Sequence, residues 1–288
     1  MEWITGMQKA IDYIEANLTE EIDYEKVAAE SFSSSYHFQR VFSILCGYTL
    51  GEYIRLRRLS LAGAELANGK EKVIDIALRY GYDSPDSFAK AFQKFHGITP
   101  SQARADGNKL NSFSRLSIKI SLEGGSTMNY RIEEKPSLVF VGHKVRCTGS
   151  PTNADNAYIK TTGHWISSRD IQRKMKTIRK DNLPIWYDLY SDFTDNDFSH
   201  TIAVETDDQA TEKGLEVVKV PPHKYAIFET EQGVSPDEKW ASVMKRIASE
   251  WLPNTDYVMS NHPQINKQYF ETDPTKRYME IWIPIEKK

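Results

Sequence analysis

IALRYGYDSPDSFAKAFQKFHGITPSQA, residues 76–103, lies over an earlier stretch of the same chain, VAAESFSSSYHFQRVFSILCGYTLGEY, residues 27–53. Ala28 falls on Ala77 at an offset of 49. Ser34, Phe38, Arg40, Phe42, Gly47 and Thr49 fall on Ser84, Phe88, Lys90, Phe92, Gly97 and Thr99 at an offset of 50. One inserted residue reconciles the two offsets, so one supersecondary unit is used twice. Each copy reads as a helix, a short turn and a second helix. In the first, Phe38, Val41, Phe42 and Leu45 form an apolar stripe expected to pack on the helix around Val27 and Ala28. Ser35, Tyr36, Gln39, Arg40 and Ser43 occupy the opposite face. In the second, Phe88, Ala91, Phe92 and Phe95 point inward while Asp86, Ser87, Lys90 and Gln93 point out. Ser84 suits an N-cap and Pro85 the first helical position, and Asp83 and Asp86 suit a positive helix end. An exposed polar helix face after a tight turn suits the major groove, where Arg donates twice to guanine and Gln bonds adenine. The plain alternative is a helical bundle with solvated faces; two copies joined by a long helix argue against it.

Around this repeat, residues 1 to about 106 carry only helical patterns. Ile4, Met7, Ile11, Ile14 and Leu18 recur at helical spacing, and 24–31, 35–46, 49–68, 71–80 and 84–95 read the same way. From 128 onward the texture alternates: YRIEE, SLVFVGHKV, IWYDLY, HTIAVET, EVVKV, KYAIFET and YMEIWIPI. Here too a unit recurs. Strand, Pro, strand, a helix near 164–180 and two strands are followed by the same order with a helix near 236–250. The expected architecture is an all-α tandem helix-turn-helix domain over 1–106, a linker over 107–127 and an α+β domain over 128–288. The linker carries Gly124-Gly125 and one short strand at Leu116–Leu122. The last domain is expected as duplicated βαββ units: antiparallel sheets, helices on one side and a central ligand groove.

Composition bounds the function. With 288 residues, 40% of them apolar and 27% charged, the chain can bury two cores and is not disordered. No apolar run approaches a membrane span, and MEWITGMQKAIDYIE lacks the basic and apolar regions of a signal peptide. Two distant cysteines, Cys46 and Cys147, exclude a disulfide scaffold or Cys-rich metal module. A cytoplasmic protein is expected. The net charge of −3 argues against nucleic acid, and all of it falls in residues 1–106, which hold 12 Lys and Arg against 15 Asp and Glu. Residues 36–58, with Arg40, Arg55, Arg57 and Arg58 against Glu52, are net +3. The acid concentrates between Glu15 and Glu30, so a basic face with an acidic back is expected.

The last strand, YMEIWIPI, puts Met279, Ile281, Ile283 and Ile285 on one face and Tyr278, Glu280, Trp282 and Pro284 on the other. A carboxylate between aromatics is costly if buried unpaired and is a recipe for binding a lipophilic cation. The candidate ligand-binding residues are Tyr130, Trp165, Trp186, Tyr187, Tyr225, Phe228, Tyr269, Glu280 and Trp282. For each aromatic the alternative is core packing, and for Glu280 it is a solvent-facing position or a salt bridge to Lys or Arg.

SSSYHFQRVF at 33–42, the Gly47–Tyr53 stretch and IALRYGYDSPDSFAKAFQKFHGITPSQAR at 76–104 resemble the DNA-binding domain of the AraC/XylS transcription regulators. That resemblance implies seven helices, with Tyr36, Gln39 and Arg40 reading bases and His37 packing or touching phosphate. On the second recognition helix Ser84, Asp86, Ser87 and Lys90 are the implied DNA-facing positions. Phe32 stands where the first turn usually has Gly, so either a locally different backbone or an aromatic turned into the core is expected there. Asp83 and Asp86 repel phosphate, and Asp accepts from cytosine N4. MNYRIEEKPSLVFVG at 128–142, LEVVKVPPHKYAIFETEQG at 215–233 and MEIWIPI at 279–285 resemble the GyrI-like effector-binding domain of Rob-like and BmrR-like regulators. This implies a groove for small lipophilic, often cationic effectors. The family's Glu before the Tyr of the strand at 265–270 is replaced in INKQYF by Asn266, Lys267 and Gln268, so either Glu280 or Glu271 takes its place or the effector is neutral or anionic.

Together these features predict a transcription regulator, an activator, with double-stranded DNA, a small-molecule effector and RNA polymerase as partners. A monomer or weak dimer with no cofactor, no metal and no membrane association is expected. Two other readings stay open: a GyrI-like hydrolase tethered to a DNA-binding domain, and a constitutive DNA binder with a vestigial cradle. No HExxH, Walker loop or GxGxxG is present, and His143, His164, His200, His223 and His262 lack metal-ligand spacing.

Overall fold

The computed structural model describes every residue except 1, 106–107, 119–126, 154–168, 181–182, 208–213 and 234–235. Contacts between Cα atoms divide the chain into two compact units, Met1–Phe38 with Leu50–Leu122 and Gln39–Thr49 with Glu123–Lys288.

The helices are α1 (Glu2–Ala16), α2 (Tyr24–Ala29), α3 (Ser35–Cys46), α4 (Leu50–Asn68), α5 (Val73–Arg79) and α6 (Pro85–His96), followed by a short 3-10 turn at Gln102–Arg104. Local chemistry sets their ends. Asp23 caps α2 by accepting from the Glu25 amide at 2.9 Å. Ser84 caps α6 by accepting from the Ser87 amide at 3.2 Å, with Pro85 in the first position. Gly97 ends α6 in the left-handed region at φ +79°. Leu59, Ala62 and Leu66 of α4 pack with Ile76, Ala77, Tyr80, Phe88, Phe92 and Ala103 in one core. Gly63 lets α4 and α6 close on each other: a Cβ there would lie 2.6 Å from the His96 ring. That ring bonds the Leu59 carbonyl through Nε2 at 3.0 Å and accepts the Asn111 amide at Nδ1 at 3.2 Å.

The turns after α2 and α5 show the repeat at the level of single hydrogen bonds. The Phe32 and Ser33 amides donate to the carbonyls of Ala29 and Ala28. The Gly81 and Tyr82 amides donate to those of Leu78 and Ala77 in the same pattern. Gly81 takes φ +77°, and Phe32 takes φ +53° with its ring 88% exposed. The expectation that this aromatic turns into the core is therefore corrected: Phe32 keeps the glycine backbone and points its ring at water. An L-residue in the left-handed region costs about 1–2 kcal/mol, whereas glycine adds about 0.5–1 kcal/mol of unfolded-state entropy. The ring buries almost nothing that would be lost. Phe32→Gly is expected to raise unfolding stability by about 0.5–1 kcal/mol in urea melts; a lower midpoint would show that the ring has a stabilising contact.

The strands are β1 (Tyr130–Lys135), β2 (Leu138–Thr148), β3 (Ile185–Ser191), β4 (Asp197–Glu205), β5 (Glu216–Val220), β6 (His223–Glu229), β7 (Tyr257–Met259), β8 (Gln264–Tyr269) and β9 (Tyr278–Lys287). Among the described residues two α-helices accompany them, α7 (Arg169–Ile178) and α8 (Pro236–Arg246). All pairings are antiparallel, in the order β1-β6-β9-β8-β3-β4-β2-β5 with β7 added on β9. The two βαββ units thus join through β3 and β8 into one continuous sheet. The order is palindromic: the first repeat's β1, β2, β3 and β4 mirror the second repeat's β5, β6, β8 and β9. The outermost strands are exchanged, since β1 pairs with β6 and β5 with β2. Gly142 permits the tight β2–β4 approach, where a Cβ would stand 2.1 Å from the Ile202 carbonyl oxygen. The expected strand at Leu116–Leu122 is absent over 116–118, and the rest lies outside the described residues.

Candidate functional site

Helices α3 and α6 begin one turn after α2 and α5, so each follows its partner as a second helix of a helix-turn-helix. On α6 the buried stripe is Phe88, Phe92 and His96, with Ala91 and Phe95 half-buried. Asp86, Ser87, Lys90 and Gln93 are exposed on the other side, as the spacing predicts. Ser84 and Ser87 are engaged with each other: the Ser84 hydroxyl donates to Ser87 Oγ at 2.9 Å, and Ser87 Oγ donates to the Ser84 carbonyl at 2.9 Å. Lys90 and Gln93 are left as the outward donors of that face. On α3, Tyr36 and Gln39 are half-buried, while His37 and Arg40 are 8% and 5% exposed. The sequence put Arg40 on an open row; it lies instead in the segment Gln39–Thr49, which is part of the second unit, and is buried.

Besides the buried Arg40, two more of the four arginines are withdrawn from the basic face expected over residues 36–58. Arg57 donates through Nε and Nη2 to the two oxygens of Glu15, each at 2.8 Å, and through Nη1 to the Phe113 carbonyl at 2.5 Å. Tyr53, fully buried, donates its hydroxyl to Glu15 at 2.6 Å and accepts the Leu116 amide at 3.2 Å. Burial alone pushes the Glu15 carboxyl up, but the hydrogen bonds of Arg57 and Tyr53 and the Arg57 charge outweigh it and hold it below the ordinary 4.5. Arg58 donates to the carbonyls of Leu18 at 2.7 Å and Glu20 at 2.6 Å. Arg57 and Arg58 therefore tie α4 to α1 and its following turn. Arg55 alone of the three is exposed. Charge counting missed this because Glu15 is 42 residues away from the guanidinium it neutralises.

In the second unit, register sorts the ligand candidates onto two faces, because directly opposed residues and alternate residues along a strand share a face. One row runs Glu229, Glu280, Lys267, Tyr187, Ala203 across β6, β9, β8, β3 and β4. The neighbouring row holds Arg131, Ile227, Trp282, Ile265 and Leu189. Tyr187, Tyr225, Tyr269, Glu280 and Trp282 are thus brought to one face. Tyr130, Trp186 and Phe228 fall on the other. There Tyr130 stacks on Phe228 at 5.7 Å, and Trp251 meets both rings edge-on. Trp165 lies outside the described residues. The inner part of the first face is a packed core of Phe140, Tyr187, Leu189, Tyr225, Ile227, Ile265 and Trp282. Within it Tyr225 is fully buried and donates its hydroxyl to the Pro263 carbonyl at 3.2 Å.

Glu280 is 6% exposed, and both its oxygens are used. One accepts from Arg131 Nη2 at 2.8 Å and the other from Trp282 Nε1 at 2.9 Å. Arg131 also bridges Glu133 at 2.6 Å and Glu229 at 2.7 Å. Desolvation works against its charge, yet the bonds to Glu280 and Glu133 hold its pKa above the ordinary value. Burial, followed by the Glu280 charge, pushes the Tyr269 phenol up to about 12. Tyr278, stacked on it at 4.3 Å, is likewise pushed up to about 12, chiefly by burial. Two ammonium groups lie over these rings. Lys135 Nζ is 4.5 Å from the Trp282 centroid, and Lys267 Nζ is 5.1 Å from that of Tyr269 and 6.0 Å from that of Tyr187. The candidates chosen from sequence omitted Arg131, Lys135 and Lys267. The signal was available for Lys267: alternate positions of INKQYF put it between Ile265 and Tyr269 on the face of Trp282.

Residues 27–106 match a helix-turn-helix domain family, and residues 131–285 match the integron-associated effector binding protein family. The HTH-type transcriptional activator AarP of Providencia stuartii is 42% identical over 109 residues, which is 38% of this chain and 81% of that protein. The right origin-binding protein of Escherichia coli K12 is 37% identical over 92 residues, 32% of each. A solved structure of SAV2435 bound to tetraphenylphosphonium is 22% identical, covers 55% of this chain and 94% of that one, and has a TM-score of 0.45. No helix among the described residues is long and apolar enough to cross a membrane. The tandem helix-turn-helix, the duplicated sheet domain, the two family matches and the likeness to AarP agree: the chain belongs to the AraC-type transcription regulators and carries, after its DNA-binding domain, a GyrI-like effector-binding domain.

Proposed function

We propose that the chain is an effector-responsive transcription activator. Helices α3 and α6 read two successive major-groove segments, and the aromatic sheet face binds a small lipophilic effector. The observation that carries this reading is the union, in one chain, of a DNA-binding domain matched over 27–106 with an effector-binding domain matched over 131–285. Tyr36, Gln39 and Arg40 supply base contacts on the first helix, with His37 toward phosphate; base reading requires Arg40 to leave its buried position. Lys90 and Ser87, with Ser84 and Asp86 beside them, face the second groove segment. The two exposed carboxylates beside α6, Asp83 and Asp86, make its contact weaker or directed at cytosine N4. RNA polymerase is the protein partner, the working state is a monomer or weak dimer, and the compartment is the cytoplasm. An effector acts only by binding DNA-competent and incompetent states with different affinity.

The test combines thermal shift and footprinting on the full chain with a panel of lipophilic cations, anions and neutral compounds. A compound that raises the melting temperature and also changes DNA occupancy supports the reading. Footprints that no binding compound alters point to a constitutive DNA binder, and turnover of a bound compound points to an enzyme.

A further inference from the structure

The effector face has already filled its own cation sites. A lipophilic cation needs free aromatic faces and an unpaired carboxylate. Of the aromatic rings on this face, Trp282 is capped by Lys135, and Tyr187 and Tyr269 lie beneath Lys267. Glu280, the one carboxylate of this face that is buried among the described residues, spends its oxygens on Arg131 and Trp282. Glu205 accepts from the Tyr187 hydroxyl at 3.1 Å and pairs with Lys180 at 3.3 Å. Lys135 pairs with Glu133. Lys267 differs. It stands directly between Glu280 and Tyr187 in the register, half-buried, and makes no ion pair among the described residues. A half-buried ammonium held over aromatic rings without an ion pair of its own is favourable ground for an anion and repels a cation. The phenols of Tyr269 and Tyr278 stay protonated at neutral pH, with Tyr269 bonded to Glu280 and Tyr278 to Tyr269, so neither adds a negative charge that would repel an anion.

We infer that the effector is a lipophilic aromatic anion whose charge pairs with Lys267 between the rings of Tyr187 and Tyr269. The inference rests on the reading that this face is the effector site. Tetraphenylborate and tetraphenylphosphonium test it, since they share size and shape and differ in the sign of the charge. Affinities of the full chain for both are measured by calorimetry in sodium buffer. Tetraphenylborate is expected to bind at least about tenfold more tightly, the equivalent of one net ion pair of about 1.4 kcal/mol. Lys267→Gln is expected to abolish that ratio and Lys267→Arg to keep it, while Lys239→Gln, at a half-buried lysine on α8 that pairs with Glu231, leaves both affinities unchanged. Equal or tighter binding of the phosphonium, or a ratio untouched by Lys267→Gln, overturns the anion assignment alone. Absence of binding by both ions overturns the assignment of this face as the effector site as well.

Discussion

A chain carrying Gln39→Ala and Arg40→Ala together is expected to lose sequence-specific DNA binding, with far-UV circular dichroism as the check on its fold, since Arg40 is buried and bonds Gln264 in the free chain. Each bidentate contact to a base edge contributes about 1–3 kcal/mol of discrimination. Two of them give about 2–6 kcal/mol, so affinity for a site selected from random duplexes by the wild-type chain falls at least about thirtyfold. Non-specific binding changes little, apart from the one phosphate-range charge lost with Arg40. Lys90→Ala, on α6, weakens specific and non-specific complexes more evenly, because a lysine at an exposed helix position contributes a point charge more than a pattern. Footprinting at two salt concentrations separates the two behaviours. An unchanged footprint pattern in the double variant would remove α3 from the role of base reader.

The second large effect concerns the helical unit itself. Glu15→Ala leaves the Arg57 guanidinium, 12% exposed, without its carboxylate and the Tyr53 hydroxyl without its acceptor. Removing one partner of a buried pair costs about 3–5 kcal/mol, much of it for the charge left behind. This is comparable to a large part of a domain's stability, so the helical signal at 222 nm is expected to melt far earlier in urea. Glu15→Gln keeps the shape and removes the charge, which exposes the pH dependence. The folded-state pKa of Glu15 is lowered. Its stabilisation is therefore fully present above the unfolded value near 4.5 and is lost as pH falls through the lower folded value. The difference between wild type and Glu15→Gln is expected to be constant from pH 7 to about 5 and to shrink below 4.5. A difference independent of pH would assign the loss to packing rather than charge.

The helices were legible because their signals are local. Ser84, Pro85, Asp86 and Gly97 mark α6 within fourteen residues, and a stripe of Phe88 and Phe92 is a period that any bundle must obey. The faces of β9 were legible for the same reason, since alternation along one strand needs no knowledge of its neighbour. What each face meets was not. Nothing within YMEIWIPI tells that Glu280 faces Lys267 across one ladder and Glu229 across the other, or that Arg131, 149 residues away, closes on it. The reading of Glu280 as a cation partner failed to foresee that partner, although a salt bridge to Arg or Lys was the stated alternative. The arginines of α4 went the same way: an excess of basic residues over 36–58 looked like a DNA face, and distant Glu15 and the carbonyls of Leu18 and Glu20 had claimed two of them.

The exchanged outer strands of the sheet carry a consequence for how this domain can be taken apart. Because β1 completes the half built by the second repeat and β5 completes the half built by the first, neither repeat alone owns a finished edge. A break in the chain between β4 and β5 yields two fragments that each expose an unpaired ladder matched by the other. Such fragments should find one another in solution and rebuild the whole. By the same geometry, a shorter protein holding a single βαββ unit meets its own need by lending its first strand to a second copy. The palindromic strand order is the one that two such interlocked subunits would give if they were fused end to end.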